Sequence, residues 1–561
     1  MAKNGDIFDL SSDEEENIST TVDQEGTDNS DEEEADTNNI TVDQEGIDNR
    51  DEDVCENNET WTWSRTKFNP QLPTYCNEQG GIQPNQFLEQ NPTREVNYFY
   101  VYFNYPLITY IVQESNRYFL QSQRRTNPSS HMALWTDIDV DEMYVFLALS
   151  MLMAFTKKHT LASYWSQDEL TRTPAFSKYF SRDRYITILK YLHFADNQTG
   201  VENRLKDYKI SYIFNDLKNK MSTLFYPFQK LVIDESLMLF KGRLSWKQYI
   251  PSKRHRWGIK LFILCDCETG IILNMIIYTG GDTLIPKSDP LGVSGAVVKE
   301  LTKYYLGKGH IVYTDNWYTS PSLCRYLMVN NTGACGTVKK NRKHIPKNLP
   351  KVPKGECASW NSNGVMLQKW RDKRDVHLLT TVHGDCMVDS GKNHHITKEV
   401  IMKPATVLDY NINMRLVDKS DMVIETGECL RRCLKWYKKL FFHLVDISLY
   451  NAYNMYLTNN AVPPPGYSQF VKCVISQLLD EHGTVRKDYA RRERLGTSGH
   501  YAYEITATLK TGRPRRACHV CANTQLRKQT RKMTHFICKK CHGVPLCIGK
   551  CFEDFHTLEV Y

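Results

Sequence analysis

Leu231-Val-Ile-Asp-Glu235 sets three apolar residues directly before two carboxylates. A short apolar run rich in β-branched side chains reads as a buried strand, and acid at its end places charge at the rim of a rigid scaffold. The pattern returns in His310-Ile-Val-Tyr-Thr-Asp315. Between the two lie Ile259-Lys-Leu-Phe-Ile-Leu-Cys265 and Gly270-Ile-Ile-Leu-Asn-Met-Ile-Ile-Tyr278, two strands joined by a turn over Asp266 to Gly270. A helix is expected around 293–306. Mixed strands and helices make residues 226–335 an α/β core. Strand ends in such sheets are where ligands bind, so Asp234 and Asp315 are candidate site residues.

Downstream, residues 336–400 are rich in Pro, Lys and Thr, with short alternating runs such as Val376-His-Leu-Leu-Thr-Thr-Val382, and read as a β-rich insertion. Helices return at 417–457, so 401–458 is the second part of the core. There Asp418 and Asp421 are three residues apart, on one face of an amphipathic helix. Upstream, 85–225 is helical. Asp141-Glu-Met-Tyr-Val-Phe-Leu-Ala-Leu-Ser-Met-Leu-Met-Ala-Phe155 has the acidic start and near-continuous apolar body of a buried helix, and a second helix is expected from Arg182 to Phe194. Residues 459–512, with the linker Pro463-Pro-Pro-Gly466, return to the helical region, and 513–561 form a cysteine-rich end. Residues 1–84 read as a disordered acidic tail. Within it Thr21-Val-Asp-Gln-Glu-Gly recurs as Thr41-Val-Asp-Gln-Glu-Gly, and Ser11-Ser12 before four acidic residues suits an acidophilic kinase.

The net charge of +6 conceals a division. Residues 1–60 hold 22 Asp and Glu against Lys3 and Arg50, while the remainder carries 69 basic and 43 acidic side chains. A basic body behind an acidic tail points to a polyanion such as nucleic acid. No apolar run approaches the roughly 20 residues of a membrane span, and Met1-Ala-Lys-Asn-Gly-Asp6 lacks the apolar region of a signal peptide, so an intracellular protein is expected.

Basic residues crowd the acidic positions. Lys241, Arg243, Lys247, Lys253, Arg254, Arg256 and Lys260 follow Asp234, interleaved with Trp246, Tyr249 and Trp257. Such a hairpin suits phosphate contact and base stacking. Lys339-Lys-Asn-Arg-Lys-His344 and Arg431-Arg-Cys-Leu-Lys-Trp-Tyr-Lys-Lys439 are two more basic runs. Converging carboxylates are what Mg²⁺ requires, and two such ions about 3.5–4 Å apart can clamp a phosphodiester.

Of 17 cysteines, six (Cys518, Cys521, Cys538, Cys541, Cys547 and Cys551) fall in the last 44 residues. Their spacing, with His556, fits tetrahedral Zn²⁺. Two sites need eight ligands; seven are evident, and His519, His535 or His542 is the expected eighth. Flanking Arg and Lys residues point to DNA, with a RING- or PHD-like protein-binding finger as the alternative. Cys265, Cys267, Cys429 and Cys433 read as buried thiols.

Taken together, the sequence resembles the piggyBac-type DNA transposases. The resemblance is carried by Ile233-Asp-Glu-Ser-Leu-Met-Leu-Phe-Lys-Gly-Arg-Leu244, Gln248-Tyr-Ile-Pro-Ser-Lys-Arg254, Gly258-Ile-Lys260, Asp315-Asn-Trp-Tyr-Thr-Ser320, Gly336-Thr-Val-Lys-Lys-Asn-Arg-Lys-His-Ile-Pro346, Val417-Asp-Lys-Ser-Asp421, Trp436-Tyr-Lys-Lys439 and Pro545-Leu-Cys547 with Cys551, Phe552 and His556. These run in family order from about residue 85 to the C-terminus. The resemblance implies an RNase H-like core interrupted by a β-rich insertion, with flanking helical segments that dimerise and bind DNA, and a nuclear location. It implies that Asp234, Asp315 and Asp418 are the catalytic triad holding Mg²⁺ or Mn²⁺, with Asp421 an additional carboxylate. Lys339 and Arg342 match basic positions facing DNA, Trp436 an aromatic on flanking DNA, and the finger a reader of transposon ends. The implied reaction is cut and paste: water releases a 3′-OH at the transposon end, a hairpin forms and reopens, and the end joins a TTAA target in double-stranded DNA. The family usually has Gly-Gly or Gly-Ala before the third aspartate and Gln after the fourth; here Arg415, Leu416 and Met422 stand there. A loop needing positive φ or close DNA approach would be strained or crowded by Arg415 and Leu416. The alternative is a domesticated, sequence-specific DNA-binding protein without catalysis.

Overall fold

The structure, a computed structural model of the chain, describes residues 60–75, 80–83, 93–123, 135–198, 204–251, 253, 256–394, 397–429, 433–460, 466–486, 500–505, 514–558 and 560–561. Contacts divide the chain into Met1–Glu52 and Asp53–Tyr561. The expected disorder of 1–84 does not hold for its described part, since Ser64 pairs with Asn361 and Gly81–Ile82 form a strand; the acidic repeat and Ser11-Ser12, and also Arg254, Arg431 and Arg432, lie outside the described residues.

A two-residue strand, β1 (Gly81–Ile82), pairs with β2 (Phe225–Tyr226) at the entry to a nine-stranded sheet. The sheet is built on β3 (Lys230–Leu239). That strand is ten residues long and does not stop at its carboxylates: Ser236 and Met238 are buried beyond them, and β5 (Trp257–Asp266) pairs along its whole length. Asp234 therefore sits within a strand, not at its end. The short β4 (Gln248–Tyr249) and β6 (Ile272–Ile277) lie on the other edge of β5. All six residues of β6 are buried, as expected of a strand covered on both faces, here by the Ser211–Leu224 and Gly292–Thr302 helices among others.

On its second edge β3 pairs in parallel with β7 (Ile311–Thr314), and β7 in parallel with β8 (Gly333–Thr337). The insertion then continues the sheet. β11 (Asp375–Thr380) pairs with β8, and β10 (Val365–Arg371) carries β9 (Cys357–Ser362) to the edge. The hairpin Met387–Asn393 with Val400–Pro404 stands apart from it.

A strap closes the β9 edge. Ser64 N–H donates to Asn361 O at 3.0 Å and Asn361 N–H to Ser64 O at 2.8 Å. Trp63 Nε1 donates to His344 O at 2.8 Å, Trp61 stacks on both Trp63 and His344, and the Arg65 guanidinium lies over Trp360.

The helical segments on either side of the core pack on each other. Val140–Leu152 begins with Asp139 accepting from Glu142 N–H and buries Met143 through Met151. At about 1.5–3 kcal/mol per large apolar side chain, that run anchors the region. It packs on Tyr467–His482, which also meets Glu95–Tyr100, where Gln477 accepts from Val96 N–H at 2.9 Å. The 24-residue helix Trp436–Asn459 runs through the centre and is buried along most of its length. Cys265 and Cys429 are buried, and Cys267 and Cys433 half-buried.

Candidate active site and metal-binding finger

Register brings the acidic residues together. Ile233 pairs with Thr314 across the parallel β3–β7 ladder, so the next residue of each segment, Asp234 and Asp315, emerges at the same place. Side chains two apart on a strand share a face, and Ser236 follows Asp234 on that rule. Its hydroxyl donates to Asp421 Oδ1 at 2.6 Å, from the Leu416–Thr426 helix that packs on β3. Asp418, one turn earlier, is 64% exposed and accepts from Lys253 Nζ at 2.9 Å. The same ammonium donates to Glu235 O at 3.0 Å. Glu235 N–H donates to Asp234 Oδ1 and Trp317 N–H to Asp315 Oδ1, both at 2.9 Å.

The cluster is short of positive charge. Burial, then the Glu235 and Asp315 carboxylates, push Asp234 up to about 8, against the Glu235 N–H and Lys253. Burial and Glu235 also raise Asp315. Burial raises Asp421 to about 6 although Ser236 and Lys253 oppose it. Converging hard oxygens that resist ionisation are a donor set that a divalent cation fits. The fit is not closed to a point. Among the described residues, the groups of three or more whose ligand atoms lie within 4.8 Å of one another are two Cys/His quartets, and the aspartates are not such a group. Ser236 was not singled out from sequence; strand alternation past Asp234 was the available signal.

The basic and aromatic residues divide by exposure. Lys241, Arg243 and Arg256 are exposed. Tyr249 and Trp257 are also exposed, their rings 4.7 Å apart, with Lys247 Nζ 5.0 Å from the Trp257 ring. Trp246, expected among the stacking residues, is instead buried, with Trp436 edge-on to it at 5.2 Å. Lys339 is half-buried. Arg342, expected to face DNA, turns inward: its Nη2 donates to Asn316 O at 2.8 Å and Trp317 O at 2.6 Å, bracing the turn after Asp315.

The C-terminal quartets are Cys518, Cys521, Cys547 and Cys551, and His500, Cys538, Cys541 and His556. The missing ligand is His500; His519, His535 and His542 belong to neither group. His500 arrives because Ala502–Glu504 pairs with Phe536–Cys538, setting Ala502 opposite Cys538. His535 instead lies 3.1 Å from Pro514 O. Sequence reading stopped at the cysteine-dense segment and missed a ligand 18 residues upstream of Cys518, outside any Cys-x-x-Cys spacing. Soft thiolates with imidazole suit a zinc finger.

The family described as Transposase IS4 matches residues 94–453, and a DDE_Tnp_1-like zinc finger matches 504–557. The human PiggyBac transposable element-derived protein 3 is 25% identical over 497 residues, covering 84% of this chain and 78% of its own. The human PiggyBac transposable element-derived protein 2 is 23% identical over 460 residues, covering 78% and 74%. A cryo-EM structure of a piggyBac transposase synaptic complex with hairpin DNA shares the fold, with a TM-score of 0.63 at 23% identity over 84% of this chain and 99% of that one. The chain belongs to the piggyBac-type transposase family.

Within this piggyBac-type chain, the departure at Arg415 and Leu416 is conformationally harmless. Arg415 has φ −77° and ψ −5° and precedes the Leu416–Thr426 helix in ordinary helical conformation, so no positive φ is required and the expected strain is absent. Arg415 and Met422 are exposed. No helix among the described residues is long and apolar enough to cross a membrane.

Proposed function

We propose that this chain is a DNA transposase that cleaves phosphodiesters and transfers strands at TTAA in double-stranded DNA. The observation that carries the reading is the β3–β7 register, which sets Asp234 beside Asp315, with the Leu416–Thr426 helix adding Asp418 and Asp421. The order β6-β5-β3-β7-β8, antiparallel up to β3 and parallel after it, supports an RNase H-like core. Asp234, Asp315 and Asp418 would hold Mg²⁺ or Mn²⁺. When bound, such an ion supplies Lewis-acid chemistry to water and to the phosphodiester oxygens.

The remaining work falls to the chain. Lys241, Arg243, Arg256 and Lys339 attract the DNA backbone, and Tyr249 and Trp257 present aromatic faces to it. Arg342 holds the Asp315 turn, and Ser236 holds Asp421. The finger carries Zn²⁺ in both quartets and reads DNA ends with its flanking basic residues. Assembly as a homodimer in the nucleus completes the proposal, as do a helical region of 85–225 with 459–512 and a β-rich insertion of 336–400.

The Lys253–Asp418 ion pair favours a second reading, a domesticated DNA-binding protein, because an ammonium already satisfies the third carboxylate. One experiment separates the two. Purified protein is incubated with sheared genomic DNA from its source, a plasmid target and Mg²⁺, and new junctions are sequenced. Junctions at TTAA that vanish in Asp315→Ala establish the transposase. Fragments retained without junctions establish the second reading.

A further inference from the structure

The segments bearing the four aspartates meet a second time, at a carboxylate the proposed chemistry does not use. Asp409 lies on the Ala405–Asn413 helix. Its Oδ1 accepts from Lys230 Nζ at 2.6 Å, and its Oδ2 accepts from the Tyr313 hydroxyl and lies 3.0 Å from His383 Nε2. Lys230 opens β3 four residues before Asp234, and Tyr313 stands on β7 two residues before Asp315. Even spacing along a strand keeps each pair on one face. Asp409's own helix passes through Met414 and Arg415 into the helix of Asp418 and Asp421. Asn413 Nδ2 donates to Asp409 Oδ1 at 3.1 Å, and Thr380 Oγ1, 2.9 Å from His383 Nδ1, orients the imidazole that reaches in from the insertion.

Burial alone would raise Asp409, but the bonds from His383, Lys230 and Tyr313 hold it well below the usual carboxylate range. A half-buried carboxylate needs hydrogen bonds to its remaining lone pairs as well as a counter-charge, and which elements supply them decides what it ties together. Here it has partners from β3, from β7 and from beyond β11, the first two being the strands that deliver Asp234 and Asp315.

We propose that Asp409 is a positioning residue that fixes the relative placement of the strands and helix carrying Asp234, Asp315, Asp418 and Asp421, and that His383 ties the insertion to the same point. It bonds none of the four aspartates: its partners are Lys230, about 13 Å of strand from Asp234, and Tyr313, about 7 Å from Asp315, with His383. Its effect is on ligand spacing, to which a metal site is sensitive at about 0.2 Å. The inference rests on the metal reading given above.

The test is Mn²⁺ binding by the full, zinc-loaded chain, followed by electron paramagnetic resonance of the free ion, with the melting temperature of the Mn²⁺-free protein recorded in parallel. Asp409→Asn is expected to weaken Mn²⁺ binding about tenfold, the usual order for loss of a group that orients ligands. His383→Gln is expected to weaken it less. Folded Asp409→Asn with wild-type Mn²⁺ affinity overturns the inference alone, even if its melting temperature falls. If Asp409→Asn does not fold, unchanged affinity in His383→Gln overturns it. Wild-type protein whose Mn²⁺ binding is no stronger than that of Asp234→Asn overturns the metal reading, and this inference with it.

Discussion

His443 lies buried in the Trp436–Asn459 helix, and its Nε2 has no hydrogen-bond partner among the described residues. Burial, with Lys439 nearby, lowers it to about 3. The folded chain thus holds the imidazole neutral, whereas the unfolded chain protonates it below about pH 6.5. Its contribution is fully present above that pH and is lost as pH falls toward the folded value, by about 2 kcal/mol between pH 7.5 and pH 5. Urea unfolding at the two pH values should show a smaller acid loss in His443→Leu than in wild type, by roughly that amount. Ser236 makes a second prediction at this scale. It donates to the largely buried Asp421. Ser236→Ala leaves that carboxylate without its short bond and should cost about 1–3 kcal/mol at neutral pH, read from the same unfolding curves.

At the scale of elements, the finger is two quartets whose ligands interleave along the chain: His500, then Cys518 and Cys521, then Cys538 and Cys541, then Cys547 and Cys551, then His556. Mass spectrometry of native protein should find two zinc ions in wild type and one in His500→Ala, although His500 precedes the family match that begins at residue 504. That ligand shows where sequence reading stops. Close cysteine spacing with the nearby His556 is a local signal and exposed seven of eight positions, four of them as Cys-x-x-Cys; a histidine delivered by strand pairing has no local spacing to announce it. The core behaved similarly. Strands at 259–265, 270–278 and 310–315 were legible because burial on both faces makes their composition apolar throughout. The full length of β3 was not, because Asp234 and Glu235 interrupt its apolar run while the backbone pairing continues to Leu239. Asp409 was also invisible, since its partners are 179, 96 and 26 residues away in sequence.

For the whole molecule, charge separates along the chain more sharply than composition implies. With 22 of 65 acidic residues in the first 60 positions, protein lacking residues 1–60 should bind duplex DNA about tenfold more tightly at 50 mM salt, and the advantage should shrink as salt rises. Fluorescence anisotropy across a salt series checks this; equal affinity at low salt would mean that the tail's charge does not reach the binding surface. The other large-scale property is the union of core and insertion in one sheet, which ends at β9. Ser64 pairs with Asn361 there, beneath Trp61, Trp63 and Arg65. Trimming past that strap would strip the cover from the outermost strand and leave its amides and carbonyls as a template for a neighbouring chain. The strap from Trp61 to Arg65 therefore guards solubility, and a shortened protein that begins at residue 60 should stay dispersed where one that begins at residue 67 clumps.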